Sequence, residues 1–168
     1  MEYKASLDWL AKLVTAFVTV LFTTILVSFP ISISFGFMSV LLITVYGVCY
    51  LYRPLKYVVE FDKIIIKRPF RDKVIAITTI KEVYSIKKGS MGWVLKTFGN
   101  GGLFGFYGEF RSGRYDQMTW YATKRSNYVM LETTEQEKIV LTPDDPSMVD
   151  EIKKLIKILN HTSAFFPA

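Results

Sequence analysis

Between positions 13 and 52 the chain carries no Asp, Glu, Lys, Arg or His, a run of forty residues in a protein of 168. An α-helix rises about 1.5 Å per residue, so crossing about 30 Å of hydrocarbon takes about 20 apolar residues. A run twice that long suits two crossings joined by a turn. The turn is visible at Ser28-Phe29-Pro30-Ile31-Ser32-Ile33-Ser34-Phe35-Gly36, where proline, glycine and serines interrupt the apolar pattern. This puts the first span at about 13–29 and the second at about 35–52. A cleaved leader fits poorly: its apolar core runs only about 7–15 residues and ends in a small-x-small site, which is missing here.

The flanks set the orientation. Lys4 and Lys12 precede the first span, Arg53, Lys56, Lys63, Lys67, Arg68, Arg71 and Lys73 follow the second, and the turn has no positive charge. The positive-inside rule then predicts a multi-pass protein of the cell membrane with both termini cytoplasmic. Trp9 at one boundary and Tyr46, Tyr50 and Tyr52 at the other fit an aromatic belt. Leu7, Leu10 and Leu13 stand at helical spacing, so the entry to the first span is expected to lie along the surface. Thr15, Thr19, Thr23, Ser39 and Thr44 are small enough to let helices approach closely. Cys49 is the single cysteine, which rules out a disulfide within the chain and reads as a small packing group in the second span.

After Pro54 the period changes from helical to alternating. Short strand-like runs occupy 57–61, 64–67, 73–77, 80–86, 118–123, 127–132 and 138–142, with 87–102 reading as an irregular insertion. At Asp144-Asp145-Pro146 the period returns to 3.6: Val149, Ile152, Leu155, Ile156 and Leu159 share one face of a helix at about 146–160. Asp150 and Glu151 come early in it and Lys153, Lys154 and Lys157 later, as the helix dipole favours. The expected organisation is 1–54 for an N-terminal segment and helix pair, 55–160 for a β domain, and 161–168 for a tail. Strands followed by one amphipathic helix imply an antiparallel β-sandwich or barrel of about seven strands with the helix capping an open end.

Three segments carry a family resemblance: the glycine–aromatic run over 99–110, Trp120-Tyr121-Ala122-Thr123-Lys124-Arg125, and Ile139-Val140-Leu141-Thr142-Pro143-Asp144-Asp145-Pro146. Together they resemble the bacterial PH-domain proteins, in the subgroup where two membrane helices precede the domain. The resemblance spans 56–160 and implies a PH-like fold. It implies no reaction, and the phosphoinositide binding of PH folds elsewhere transfers weakly, because fold does not carry function.

Gly99, Gly101, Gly102, Gly105 and Gly108 raise the question of a phosphate cradle. A dinucleotide fingerprint needs a third glycine where Phe104 stands, and no G-K-[ST] triplet follows. Two readings remain: a bent strand whose glycines allow close backbone approach, or a loop from which Leu103 and Phe104 dip into the bilayer surface. The second candidate set is basic: Lys67, Arg68, Arg71 and Lys73 around one turn, Arg111 beyond the glycine run, and Lys124 and Arg125 in another turn. These suit either an anionic leaflet, which attracts nearby cations by about 1 kcal/mol each, or ordinary solvated turns. The net charge is +6. The one histidine, His161, has no partner in the pattern from which to build a catalytic set, and no metal-ligand spacing occurs. The sequence thus points to a non-enzymatic, cofactor-free module that binds a protein or peptide, with anionic-lipid sensing as the alternative and nucleic acid excluded as a partner.

Overall fold

The computed structural model describes residues 1–28, 33–87 and 89–165. The chain opens with strand β1 (Glu2–Lys4), followed by helices α1 (Trp9–Ser28) and α2 (Ile33–Leu51). Of the predicted turn at 28–36, residues 29–32 lie outside the described residues, and α2 already begins at Ile33. Asp8 starts α1, its carboxylate accepting the Ala11 amide at 2.7 Å in an N-cap. Phe17, Val20 and Val27 on α1 and Phe37 and Val40 on α2 are exposed, so the helices turn apolar side chains outward. Among the described residues α1 has the length and apolarity needed to cross a bilayer, while the apolar part of α2, Gly36–Leu51, is shorter. The helices meet where the Thr19 and Tyr46 hydroxyls share a hydrogen bond of 2.7 Å and where Phe22 packs on Tyr46. Thr23 and Thr44 instead bond to carbonyls one turn back on their own helices.

Two sheets follow. The first has the order β1-β2-β3-β4, with β2 at Lys56–Val59, β3 at Lys63–Lys67 and β4 at Lys73–Ala76, all antiparallel. The second comprises β5 (Ile80–Ile86), β6 (Val94–Gly102), β7 (Gly105–Ser112), β8 (Asp116–Ala122), β9 (Tyr128–Thr133) and β10 (Lys138–Leu141). Its order is β5-β9-β10-β8-β7-β6, antiparallel except where β10 runs parallel to β8. Because side chains alternate across a strand, the central strands serve two cores. Val129, Leu131, Ile139 and Leu141 face the first sheet and α3 (Met148–Phe165), together with Tyr57, Ile64, Ile66 and Ile152. Tyr128, Met130 and Val140 face the opposite way, with Phe106, Phe110, Trp120 and Ala11 of α1. The fully buried Tyr57 bolts the sheets together, its hydroxyl donating to the Tyr121 carbonyl at 2.6 Å and accepting the Thr142 amide at 3.2 Å.

Several expectations change. The sheets form a sandwich and do not close into a barrel: β4 and β5, parted by a short 3-10 turn at Ile77–Thr79, belong to different sheets, and β6 is an open edge. Residues 2–4, read as part of the segment ahead of the membrane helices, pair with β2 in the register Tyr3↔Tyr57, and Tyr3 and Ala5 join the core. The region 87–102, read as an irregular insertion, supplies β6, so the strands outnumber the seven expected. The last helix starts at Met148 and continues to Phe165, which carries His161 into the helix and out of the expected tail; residues 166–168 lie outside the described residues.

Candidate binding surfaces at the helix–domain junction

The turn between β3 and β4 is built around Asp72. Its carboxylate accepts Lys67 Nζ at 2.6 Å and the Arg68 amide at 3.2 Å, and the Lys67 hydrogen bond holds it below the usual carboxylate range. Arg68 Nε donates to the Arg71 carbonyl at 2.6 Å, and its guanidinium lies 5.4 Å from the Tyr52 ring and 5.8 Å from the Tyr121 ring. The Phe70 amide donates to the Leu51 carbonyl at 3.2 Å, so this turn sits against the C-terminal end of α2. Arg71 and Lys73 are exposed beside it.

The tip of the β6–β7 hairpin reaches the same place. Asn100 donates its side-chain amide to the Leu103 and Gly105 carbonyls, closing the tip. The Phe104 amide donates to Thr15 Oγ1 of α1 at 3.0 Å. Its ring stands edge-on to Tyr46 at 5.1 Å and Tyr50 at 5.4 Å on α2 and is only 6% exposed. The Tyr107 hydroxyl donates to the Cys49 carbonyl, and burial raises that phenol. Phe104 therefore wedges between the helices, and Leu103 beside it is half-buried.

The glycines explain how the tip gets there. Gly99 and Gly108 face each other across the hairpin at φ +110° and +118°, and a Cβ on either would lie 2.8 Å from the other's Cα. Only glycine permits both that conformation and that approach. Where the composition suggested one bent strand, the run supplies the facing ends of two, β6 and β7, and a strand follows it, not the helix that a phosphate cradle requires.

Lys124 and Arg125 gather at the start of α1. Lys124 pairs with Asp144 at 2.7 Å, and Asp144 also accepts the Ser6 hydroxyl at 2.5 Å. Arg125 approaches Asp8 at 3.7 Å, while the Asp8 amide donates to the Thr123 carbonyl at 3.2 Å. Arg111 lies toward the other end of the hairpin, paired with Asp116 at 2.9 Å. The fold thus brings the β3–β4, β6–β7 and β8–β9 turns to the helix side of the domain and leaves Arg111 out.

Two features escaped the sequence reading. Asp144 is a clasp on the N-terminal segment, where the sequence showed only the return of a helical period. Trp93, Leu95 and Phe98 are exposed along the open edge of the second sheet, by 62%, 61% and 75%. Their signal was three large apolar groups inside a stretch read as irregular. An open groove of about 730 Å³ between Met1, Tyr3 and α3 is walled by Asp150, Glu151, Lys153, Lys154 and Lys157. Among the described residues no three His, Cys, Asp or Glu side chains gather to hold a metal.

Two packed sheets closed by a C-terminal helix, with turns gathered at one end, define a PH-type binding module. Residues 55–156 match the bacterial PH domain, and the chain belongs to that family. PH domains are in general non-enzymatic, and no catalytic family is indicated. Neither the curated proteins nor the solved structures contain a match to the chain.

Proposed function

We propose that this protein is a two-span membrane anchor presenting its PH-type module to the cytoplasm, where the module binds a protein or peptide. The outward apolar faces of α1 and α2 support burial in lipid, since a solvated surface seldom carries contiguous apolar patches of that kind. The spans fall at about 13–29 and 35–52, and a tilted or locally thinned bilayer accommodates the shorter second helix. Both termini are cytoplasmic, by the distribution of positive charge. The module comprises residues 55–160 together with the strand at Glu2–Lys4.

The observation that carries the binding reading is the open edge of β6, with its unpaired backbone and the exposed Trp93, Leu95 and Phe98. An extended segment adding to such an edge gains main-chain hydrogen bonds, and the apolar groups supply specificity. A photo-crosslinking residue at Phe98 in the full chain, activated in native membranes, is expected to give a discrete protein adduct absent from the same probe at Lys153. Labelling of lipid alone, or equal labelling at both positions, would sink the reading.

A second reading is favoured by the position of the β3–β4 turn. Arg68, Arg71 and Lys73 lie at the end of α2, where an anionic leaflet would attract them. A fluorophore on Arg71→Cys, in nanodiscs, is expected to be quenched by headgroup spin labels in anionic lipid and freed by high salt. Equal quenching in neutral lipid counts against charge sensing.

A further inference from the structure

We propose that Arg53 is a binding site for the phosphate of a phospholipid, held at the junction of α2 with the hairpin tip. The inference rests on the membrane placement of α2 proposed above. Arg53 is the second residue past α2, and its guanidinium lies 4.4 Å from the Tyr50 ring centre and 5.6 Å from that of Phe104. Its Nε is buried without a hydrogen-bond partner. Among the described residues its side chain makes no hydrogen bond or ion pair, whereas Arg68, Arg111, Arg114 and Arg125 each have an oxygen partner.

A guanidinium stays charged at any physiological pH, and a half-buried charge is costly unless an anion meets it. Compensation of the α2 dipole does not meet that need, because the side chain donates to none of the last carbonyls. The Tyr50 and Phe104 rings flank the group and Nε is covered, which leaves the two terminal nitrogens to meet an anion. Those nitrogens are a fork matched to two oxygens of one phosphate. The exposed Tyr50 and Leu51 continue the site onto the apolar surface of α2, where acyl chains would lie. This geometry selects a phosphate that carries acyl chains over a free phosphate ion. An anionic glycerol headgroup is preferred over a choline headgroup, whose own cation repels the guanidinium.

The test is native mass spectrometry of the full chain, released from detergent containing equal phosphatidylglycerol and phosphatidylcholine. The wild type is expected to keep phosphatidylglycerol, and Arg53→Gln to keep about tenfold less, the loss of one charged hydrogen-bonded pair. Arg53→Lys, which retains charge without the fork, is expected to fall between them, and Arg114→Gln, beyond the far end of β7, to match wild type. Equal retention by Arg53→Gln overturns the site, as does displacement of the lipid by millimolar inorganic phosphate. Alkaline carbonate extraction of the same membranes tests the membrane reading separately. Release of the wild-type chain sinks that reading, while a membrane-retained Arg53→Gln with an unchanged lipid count sinks Arg53 alone.

Discussion

Replacing Phe104 by alanine should undock the hairpin from the helices while leaving the sandwich folded. Phe104 is almost wholly buried against Tyr46, Tyr50 and Arg53, so truncation loses the transfer energy of the ring and leaves a cavity. Such changes cost about 3–5 kcal/mol in a well-packed site. The two edge-to-face ring pairs, worth about 0.5–1.5 kcal/mol each, fall within that sum. The left-handed backbone of Phe104, at φ +59°, is as unfavourable for alanine as for phenylalanine, so no relief of strain offsets the loss. The first contact to open is the Phe104 amide on Thr15 Oγ1, which makes hydrogen exchange the direct assay. At 3 kcal/mol, exchange of peptides covering 97–107 should quicken by about a hundredfold, capped by the stability of the docked state. Peptides of the doubly covered β9 should not change, because their cores lie elsewhere. Exchange at the tip within twofold of wild type would refute the wedge; equal acceleration in β9 would mean that the whole domain had been weakened.

Three further outcomes follow from the same contacts. Tyr57→Phe strips a partner from the Thr142 amide and the Tyr121 carbonyl, so it should cost about 2–4 kcal/mol, read as a lower melting temperature of the full chain in detergent. Burial pushes that phenol up to about 12, so the donor persists through neutral pH and its contribution should be flat there. Gly108→Ala should disrupt the β6–β7 pairing beyond the usual cost of a left-handed residue, because the clash is with backbone that cannot turn aside; proteolysis within 94–112 would report it, and an unchanged digest would argue against the facing glycines. Burial alone raises the Asp144 carboxyl, but hydrogen bonds from Lys124 and Ser6 outweigh it and hold it low. Its folded pKa is depressed, so its contribution is present above the unfolded value of about 4 and is lost as pH falls through the folded one. An acid titration of melting temperature should therefore be shallower in Asp144→Asn than in wild type below pH of about 4.

What the sequence determined by itself is whatever a local period or a missing charge can report. The uncharged run announces the helices, since each backbone group in lipid must be satisfied within its own segment. Short apolar runs bounded by turn residues mark Lys56–Val59 and Ile80–Ile86, and a 3.6 period marks α3 because Val149 and Ile152 face the core. The family was legible in motifs that repeat in order, down to the glycine–aromatic run. β6 was invisible because nearly all its side chains are exposed, so burial imposes no alternation on them; its strand state is held by β7. The pairing of Tyr3 with Tyr57, of Ser6 with Asp144, and of Phe104 with Thr15 joins residues far apart in the chain. No local pattern encodes such partners, because each is chosen by what the packed surfaces leave opposite. Only the tertiary structure gathers three turns at the helix side of the domain and surrounds Arg53 with rings instead of a carboxylate, since charge is written in the sequence but compensation of charge is a matter of neighbours in space.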